Sequence, residues 1–145
     1  MNSAIDAIRT QFTMRPWWMN LLMLFCAYMA LIYVPWDFLV KDIRADQEVW
    51  FGIRLYGLWA KLTEPVHFLI YAAGTWGFFR MRSWMWPWAA LYAAQVSISM
   101  MVWALLYARP ERGLQAALIS GGISAALTGA IAVALYMARD RFRHT

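Results

Sequence analysis

The stretch AKLTEPVHFLIY, residues 60–71, decides whether this chain forms three or four long apolar helices. A lysine, a glutamate and a histidine follow one another at intervals of three residues, and apolar sequence continues directly after them. The surrounding run, Leu55 to Phe79, exceeds the roughly 20 residues that cross a bilayer as a helix. Because it carries three ionisable groups, it is the most polar of the chain's long apolar runs.

The three other long runs contain no charged residue. They are Pro16 to Trp36, Ser83 to Ala108 and Gly113 to Ala138, with 21, 26 and 26 residues. The whole chain of 145 residues is 63% hydrophobic and only 14% charged, whereas soluble globular domains contain about 25% charged residues. We therefore predict an integral membrane protein with a single transmembrane domain, residues 1–145.

Positive charge predicts the topology. With spans at about 17–39, 54–79, 84–108 and 114–138, most arginines outside the spans fall on one side, which the positive-inside rule makes cytoplasmic. This group is Arg9, Arg15, Arg80, Arg82, Arg139, Arg141 and Arg143. Both termini then lie in the cytoplasm, and an even number of spans is required. The predicted fold class is all-α, an integral membrane four-helix bundle, and we expect it in the bacterial inner membrane.

The net charge of +5 is explained by this topology. A nucleic-acid surface would need basic residues clustered on a solvated face, so no nucleic-acid partner is expected. Ahead of the first span, residues 2–14 are predicted to form an interfacial helix. The long connection DFLVKDIRADQEVWFGIR, residues 37–54, mixes both signs of charge and is a candidate for a short surface helix. The two remaining turns are tight, which predicts that helices two, three and four are antiparallel neighbours in sequence order.

The second span has a polar face. At 100° per residue, one arc of about 140° contains Arg54, Gly57, Lys61, Glu64, His67, Tyr71 and Thr75. A charged side chain at the centre of a lipid-facing helix costs roughly 2.5–3.5 kcal/mol, so this face should point into the protein. Intervals of three residues allow an ion pair between Lys61 and Glu64 and a hydrogen bond between Glu64 and His67.

Side chains on other spans are expected to complete a pocket around this face. The predicted ligand-binding residues are Asp37, Lys61, Glu64, His67, Tyr71 and Gln95. The apolar part is expected to be lined by Trp59, Trp76, Trp88 and Trp103, since small-molecule sites are mostly apolar with few polar anchors. The alternative is structural: Lys61 reaches water along its own stem, and the other two groups hold helices together.

The residue types argue against several site chemistries. With His67, one distant cysteine and no His-x3-His pair, no metal-binding set is predicted from the spacing. The single cysteine, Cys26, is interpreted as a small apolar side chain within a span. The sequence contains no Gly-rich phosphate loop, and it identifies neither a cofactor nor a reaction.

The fourth span, LISGGISAALTGAIAVAL at residues 118–135, is rich in small residues. Gly121, Ala125 and Gly129 recur every four residues, a pattern that lets helix backbones approach closely. Packing within the protomer is the first interpretation. A seam with a second copy or with another membrane protein is the alternative.

Three short motifs give the chain a resemblance to a known family. They are YVPWD after the first span, TEP in the second span and WPWAALYAAQ at the start of the third. With four short spans, residues 17–138 resemble the EXPERA-type membrane proteins, which include sterol isomerases and the sigma-2 receptor. The resemblance implies a cavity open to the bilayer for an amphipathic amine or sterol. It would make Asp37 and Glu64 the acids that meet the ligand and Gln95 a pocket residue.

Three functions remain open at this point. The first is binding of a membrane lipid or an amphipathic small molecule at the polar pocket of the second span. The second is a non-enzymatic accessory subunit that docks onto a larger membrane complex. The third is a proton-coupled carrier, for which a chain with four short spans would need to form a homo-oligomer.

Overall fold

The computed structural model describes residue 10 and residues 12–142, and most of them are helical. Four long helices are present: α1, Trp17–Val40; α2, Leu58–Phe79; α3, Met85–Arg112; and α4, Leu114–Met137. A hairpin of two short strands, β1 at Gln47–Trp50 and β2 at Ile53–Tyr56, lies between α1 and α2. A 3₁₀ turn, Arg139–Phe142, follows α4.

Three of the described helices, α1, α3 and α4, are long and apolar enough to cross a membrane, which suggests a membrane protein. Helix α2 has 22 residues, but Lys61 and Glu64 lower its hydropathy. Two of the three apolar helices widen into a π-turn, at Met29–Tyr33 in α1 and at Ala104–Ala108 in α3. Each π-turn is followed within two residues by a proline, which cannot donate the backbone hydrogen bond of a regular helix.

Helices α3 and α4 pack tightly along most of their length. A Cβ atom added to Gly121 would lie 2.6 Å from the Cβ of Ala104, so the two backbones approach at a distance that only glycine permits here. Farther along, the Ser97 hydroxyl donates a hydrogen bond of 2.6 Å to the carbonyl of Ala125. The small residues of α4 therefore serve packing inside the protomer, as the first interpretation predicted.

Helix α1 packs against α2, whereas α2 and α3 touch at few residues. The strict succession of helix neighbours predicted from the turns is therefore wrong, since the chain folds into two helical hairpins. At the end of the bundle where the described chain begins and ends, which we call the terminal end, the hairpins share a buried core that includes Met19, Phe78, Met85 and Phe142.

Arg15, which precedes α1, also contacts the end of α2 at the terminal end. Its guanidinium donates to the carbonyls of Phe78 and Phe79, at 3.1 and 2.8 Å. These are the last carbonyls of α2, where a cation is favoured by the helix dipole. Of the predicted interfacial helix at residues 2–14, residues 1–9 and 11 lie outside the described part, and Thr10, Phe12 and Thr13 are helical. Arg9 and Arg143 likewise lie outside it.

The long connection is a β-hairpin and not the surface helix that its mixed charges suggested. β1 and β2 are antiparallel, with Val49 opposite Arg54. The turn residues Phe51 and Gly52 both have positive φ, 52° and 83°, as the tightest hairpin turns require. Residues 54–56, predicted to start the second span, belong to β2, so the all-α prediction needs this correction.

The hairpin folds back along the helices. A Cβ atom on Gly52 would lie 2.6 Å from Val102 Cβ and 2.7 Å from the Ser99 carbonyl, so the turn lies directly against α3. Ser99 precedes the end of α3 by 13 residues, or about 20 Å of helix. The turn therefore lies beside the middle of the bundle, and the strands run between there and the end that carries residues 41–46, called the hairpin end below.

Candidate functional site

Charged side chains gather at the hairpin end of α1 and α2. Asp37 lies near the end of α1, Lys61 and Glu64 lie in the first turns of α2, and three residues come from the connection between these helices: Lys41, Asp46 and Glu48. We call these six residues together with His67 the polar cluster. Asp37, Asp46 and Glu64 are nearly inaccessible to solvent, at 3, 0 and 1% exposure.

Lys61 is the central residue of the polar cluster. Its ammonium group donates to two backbone carbonyls at the end of α1, those of Asp37 at 2.7 Å and Lys41 at 3.2 Å. It also lies 3.4 Å from Asp46 Oδ2 and 3.5 Å from Glu64 Oε1. The predicted ion pair between Lys61 and Glu64 is therefore present. The ammonium group lies closer to the two carbonyls than to the two carboxylates. Both carbonyls belong to the end of α1, where backbone carbonyls have no partner within the helix.

The second ammonium group holds two acids from different segments. Lys41 Nζ lies 3.1 Å from Asp37 Oδ1 and 3.1 Å from Asp46 Oδ1. Burial by itself would lower the pKa of Lys41, but its bonds to Asp46 and Asp37 outweigh burial and raise that pKa. Burial would raise the pKa of Asp46, yet its interactions with Glu64, Lys41 and Lys61 keep that pKa below its usual value. Both groups are thus charged at neutral pH.

His67 bonds to the hairpin, and not to Glu64 as the spacing predicted. Its Nδ1 lies 3.0 Å from Glu48 Oε2, and its ring stacks on Trp50 with centroids 4.2 Å apart and planes within 8°. Both partners lie on β1. The fold of the connection thus brings Trp50 beside α2.

The polar cluster contains more negative than positive groups. Four carboxyl groups, those of Asp37, Asp46, Glu48 and Glu64, face two ammonium groups and one imidazole. With all four carboxyl groups ionised and the imidazole neutral, the formal sum is −4 + 2, or −2. Neither oxygen of Glu64 receives a hydrogen bond from the described residues, since Lys61 directs its hydrogen bonds to carbonyls. A buried charge needs a group of opposite charge or a hydrogen-bond partner. Within the polar cluster, the negative groups outnumber the positive ones.

Tyr71 connects the polar cluster to a large cavity. Its ring centroid lies 6.1 Å from that of His67 on one side, and it meets Phe25 of α1 edge-on at 5.9 Å on another. The hydroxyl groups of Tyr71 and Tyr92, on α3, also interact. Polar side chains thus continue from the hairpin into the gap between α2 and α3.

That gap contains a cavity of about 670 Å³. All four long helices line it, mostly with apolar side chains such as Leu22, Ile70, Val96 and Leu135. Its volume falls within the range of about 300–1,000 Å³ that is usual for small-molecule sites. Trp88, a lining residue, is 65% exposed, so the cavity opens to the outside at its rim.

The predicted tryptophan lining is only partly found. Trp88 lines the cavity and is joined by Trp84, which was not predicted to do so. Trp59 is 71% exposed and Trp76 contacts Arg80, while Trp103 lies under the guanidinium of Arg54. These three do not line the cavity, because they point away from the gap between the two helical hairpins.

Gln95 does not reach the polar cluster. Its amide donates to the hydroxyl of Ser99 at 2.7 Å, one turn farther along α3. Tyr92, on the same helix, is the α3 residue that meets Tyr71. The structure thus brings together Asp37, Lys61, Glu64, His67 and Tyr71 of the predicted site, and leaves Gln95 apart.

Sequence reasoning missed three members of the polar cluster: Lys41, Asp46 and Glu48. All three lie in the connection that the mixed charges suggested to be a short surface helix, so no contact between them and α2 was predicted. One signal was available: the segment QEVWFGIRLY, residues 47–56, has β-branched and aromatic residues on both sides of a glycine at position 52, a composition that favours a hairpin.

No family model, curated protein or solved structure matches this chain. The resemblance to the EXPERA-type membrane proteins therefore stays a prediction. Asp37 and Glu64, the two acids that it named, are both buried at the hairpin end of the bundle. The partners of Glu64, Lys61 and Asp46, were not part of that resemblance.

Proposed function

We propose that this chain is an integral membrane protein in which all four long helices cross the bilayer, and that it binds an amphipathic, lipid-like molecule. The observation that carries this proposal is the continuity of one apolar cavity with one polar cluster through Tyr71. The apolar part of the ligand would occupy the cavity. Its polar group would hydrogen-bond to Tyr71 and Tyr92 and lie towards His67.

Burial of the polar cluster supports α2 as a fourth span. The carboxyl group of Glu64 is enclosed, and Lys61 lies 15% exposed between α1 and α2, so neither charge needs to face lipid. Arg15, Arg80, Arg82, Arg139 and Arg141 lie at the terminal end. The positive-inside rule then favours cytoplasmic termini and a plasma-type membrane such as the bacterial inner membrane.

The chemistry of the lining limits the ligand class. Within the cavity the polar lining groups are few, chiefly the hydroxyls of Tyr71, Tyr92 and Thr128. A strongly charged small molecule would lose its hydration there without adequate replacement. A molecule with one compact polar group and a larger apolar body fits both regions.

A photo-crosslinking experiment tests this proposal. The full chain in lipid nanodiscs is irradiated with a long-chain fatty alcohol that carries a diazirine, and mass spectrometry maps the adducts. Adducts are expected on Leu22, Ile70 and Val96 at a well-defined stoichiometry. Ala93→Phe, which places a phenyl ring in the cavity, should reduce them at least five-fold, whereas Ala130→Phe on an exposed face of α4 should not.

Two outcomes would contradict the proposal. One is crosslinking spread over exposed positions such as Leu127 with no effect of Ala93→Phe, which would mean that the probe only samples the surrounding lipid. The other is co-purification in mild detergent of one stoichiometric protein that fills the cavity, which would favour the accessory subunit.

A further inference from the structure

We propose that the polar cluster contains a binding site for one hard divalent cation, such as Mn²⁺, Ca²⁺ or Mg²⁺, ligated by Asp37, Glu48 and Glu64. Each of the three residues offers a carboxylate oxygen, and these oxygens lie within 4.8 Å of one another. Oxygens that bind one ion at about 2.1–2.5 Å cannot be more than about 5 Å apart. The ligand set thus has the required dimensions.

The three ligands come from three separate segments. Asp37 belongs to α1, Glu48 to β1 and Glu64 to α2. Their convergence depends on the hairpin folding back along the helices, so it does not follow from neighbourhood in sequence. An ion bound there would join the hairpin to both helices.

Glu64 is the second observation that points to a ligand. It is 1% exposed, and neither of its oxygens has a hydrogen-bond donor among the described residues. Its contact with Lys61 is 3.5 Å long, and Lys61 donates instead to backbone carbonyls. Its other neighbour is the carboxyl group of Asp46, which offers no positive charge. An ionised Glu64 is therefore costly to bury, and a cation placed among the three oxygens would remove that cost.

Charge balance and outer contacts agree with a divalent ion. With all four carboxyl groups ionised and the imidazole neutral, the polar cluster has a formal sum of −2, which one divalent cation would neutralise. Each proposed ligand is also held by a neighbour outside the site: Asp37 by Lys41, Glu48 by His67 and Glu64 by Lys61. Metal-binding carboxylates and imidazoles usually have such partners, which fix their orientation.

The donor atoms select the class of ion. All three are carboxylate oxygens, which favour Mg²⁺, Ca²⁺ and Mn²⁺ over softer metals. The Nδ1 of His67 is directed at Glu48, so the imidazole orients a ligand and is not itself one. Three protein ligands leave further coordination positions to water.

Titration of the full chain in detergent with Mn²⁺ tests this proposal, with the spectrum of free Mn²⁺ followed by electron paramagnetic resonance. We expect saturable binding of one Mn²⁺ per chain and displacement by Ca²⁺ or Mg²⁺. Glu48→Gln should weaken binding at least ten-fold. Glu111→Gln, which removes an exposed acid at the same end, should leave it unchanged.

A second measurement uses the chain without any substitution in the proposed site. In a chain labelled with ¹⁵N at the tryptophan indoles, bound Mn²⁺ should broaden the signal of Trp50, which stacks on His67, and leave that of Trp84 at the terminal end sharp. Absence of saturable binding up to millimolar Mn²⁺ at pH 7.5 would overturn the proposal and assign the compensating charge to protons. Equal binding by wild type and Glu48→Gln, or equal broadening of both indoles, would overturn it as well.

Discussion

The imidazole of His67 lies flat on the indole of Trp50, with ring centroids 4.2 Å apart and planes within 8°. One ring belongs to α2 and the other to β1, so the stack fastens the hairpin to the helix. Replacing Trp50 with alanine should lower the free energy of unfolding by about 3 kcal/mol, as is common when a packed aromatic side chain is removed.

Unfolding in mixed detergent micelles, followed by far-ultraviolet circular dichroism, measures this loss. Trp59→Ala is the matched control because Trp59 is 71% exposed, and its effect should stay within about 1 kcal/mol. Equal losses for both variants would mean that the hairpin is not held by this stack.

A pair of glycines tests whether the hairpin turn lies against α3. Gly52 and Gly113 both have positive φ, 83° and 85°, so alanine at either position is strained. Only at Gly52 would the new Cβ meet α3, at 2.6 Å from Val102 Cβ, whereas Gly113 has open space around it. Gly52→Ala should therefore lower the melting temperature clearly more than Gly113→Ala, and the reverse order would contradict this position of the hairpin.

Two adjacent glycines of α4 test its packing on α3. Gly121→Ala should destabilise the protein by about 1–3 kcal/mol through overpacking, because the added carbon would lie 2.6 Å from Ala104 Cβ. Gly122→Ala meets only Met101 Cε at 3.9 Å, and it should be neutral or stabilising by up to about 1 kcal/mol through helix propensity. Denaturant unfolding of both variants distinguishes these outcomes. If Gly121→Ala also stabilises the protein, the contact between α3 and α4 is less tight than the structure shows.

Lys61 provides a test of the polar cluster. Lys61→Met removes the ammonium group next to Asp46 and Glu64, and the loss of one partner from a buried ion pair costs about 3–5 kcal/mol. Thermal unfolding at neutral pH measures the effect. The control, Arg44→Met, removes a cation from an exposed position of the same connection and should change stability by less than about 0.5 kcal/mol. A wild-type melting temperature for Lys61→Met would show that the buried acids do not depend on this lysine.

The sequence predicted the helices well and the connections poorly. The apolar runs predicted the ends of α1, α3 and α4 to within a few residues, because a long run without charged residues leaves few possible places for a helix to begin or end. The start of α2 was four residues too early, since Arg54 falls on the polar helical face and equally on a strand of the hairpin. The predicted ion pair between Lys61 and Glu64 is present, since residues three apart on one helix share a face, whereas the binding of a ligand by these residues stays a prediction.

The sequence by itself determined that this chain is rich in long apolar helices, that α2 has one polar face, and that α4 can approach a neighbouring helix closely. These properties are periodic along a single helix and need no knowledge of its neighbours. Only the tertiary structure decided that the connection enters the bundle, that His67 pairs with Glu48, and that acids from three segments converge. Such contacts join residues far apart in the chain, and they depend on how the hairpin docks between α2 and α3.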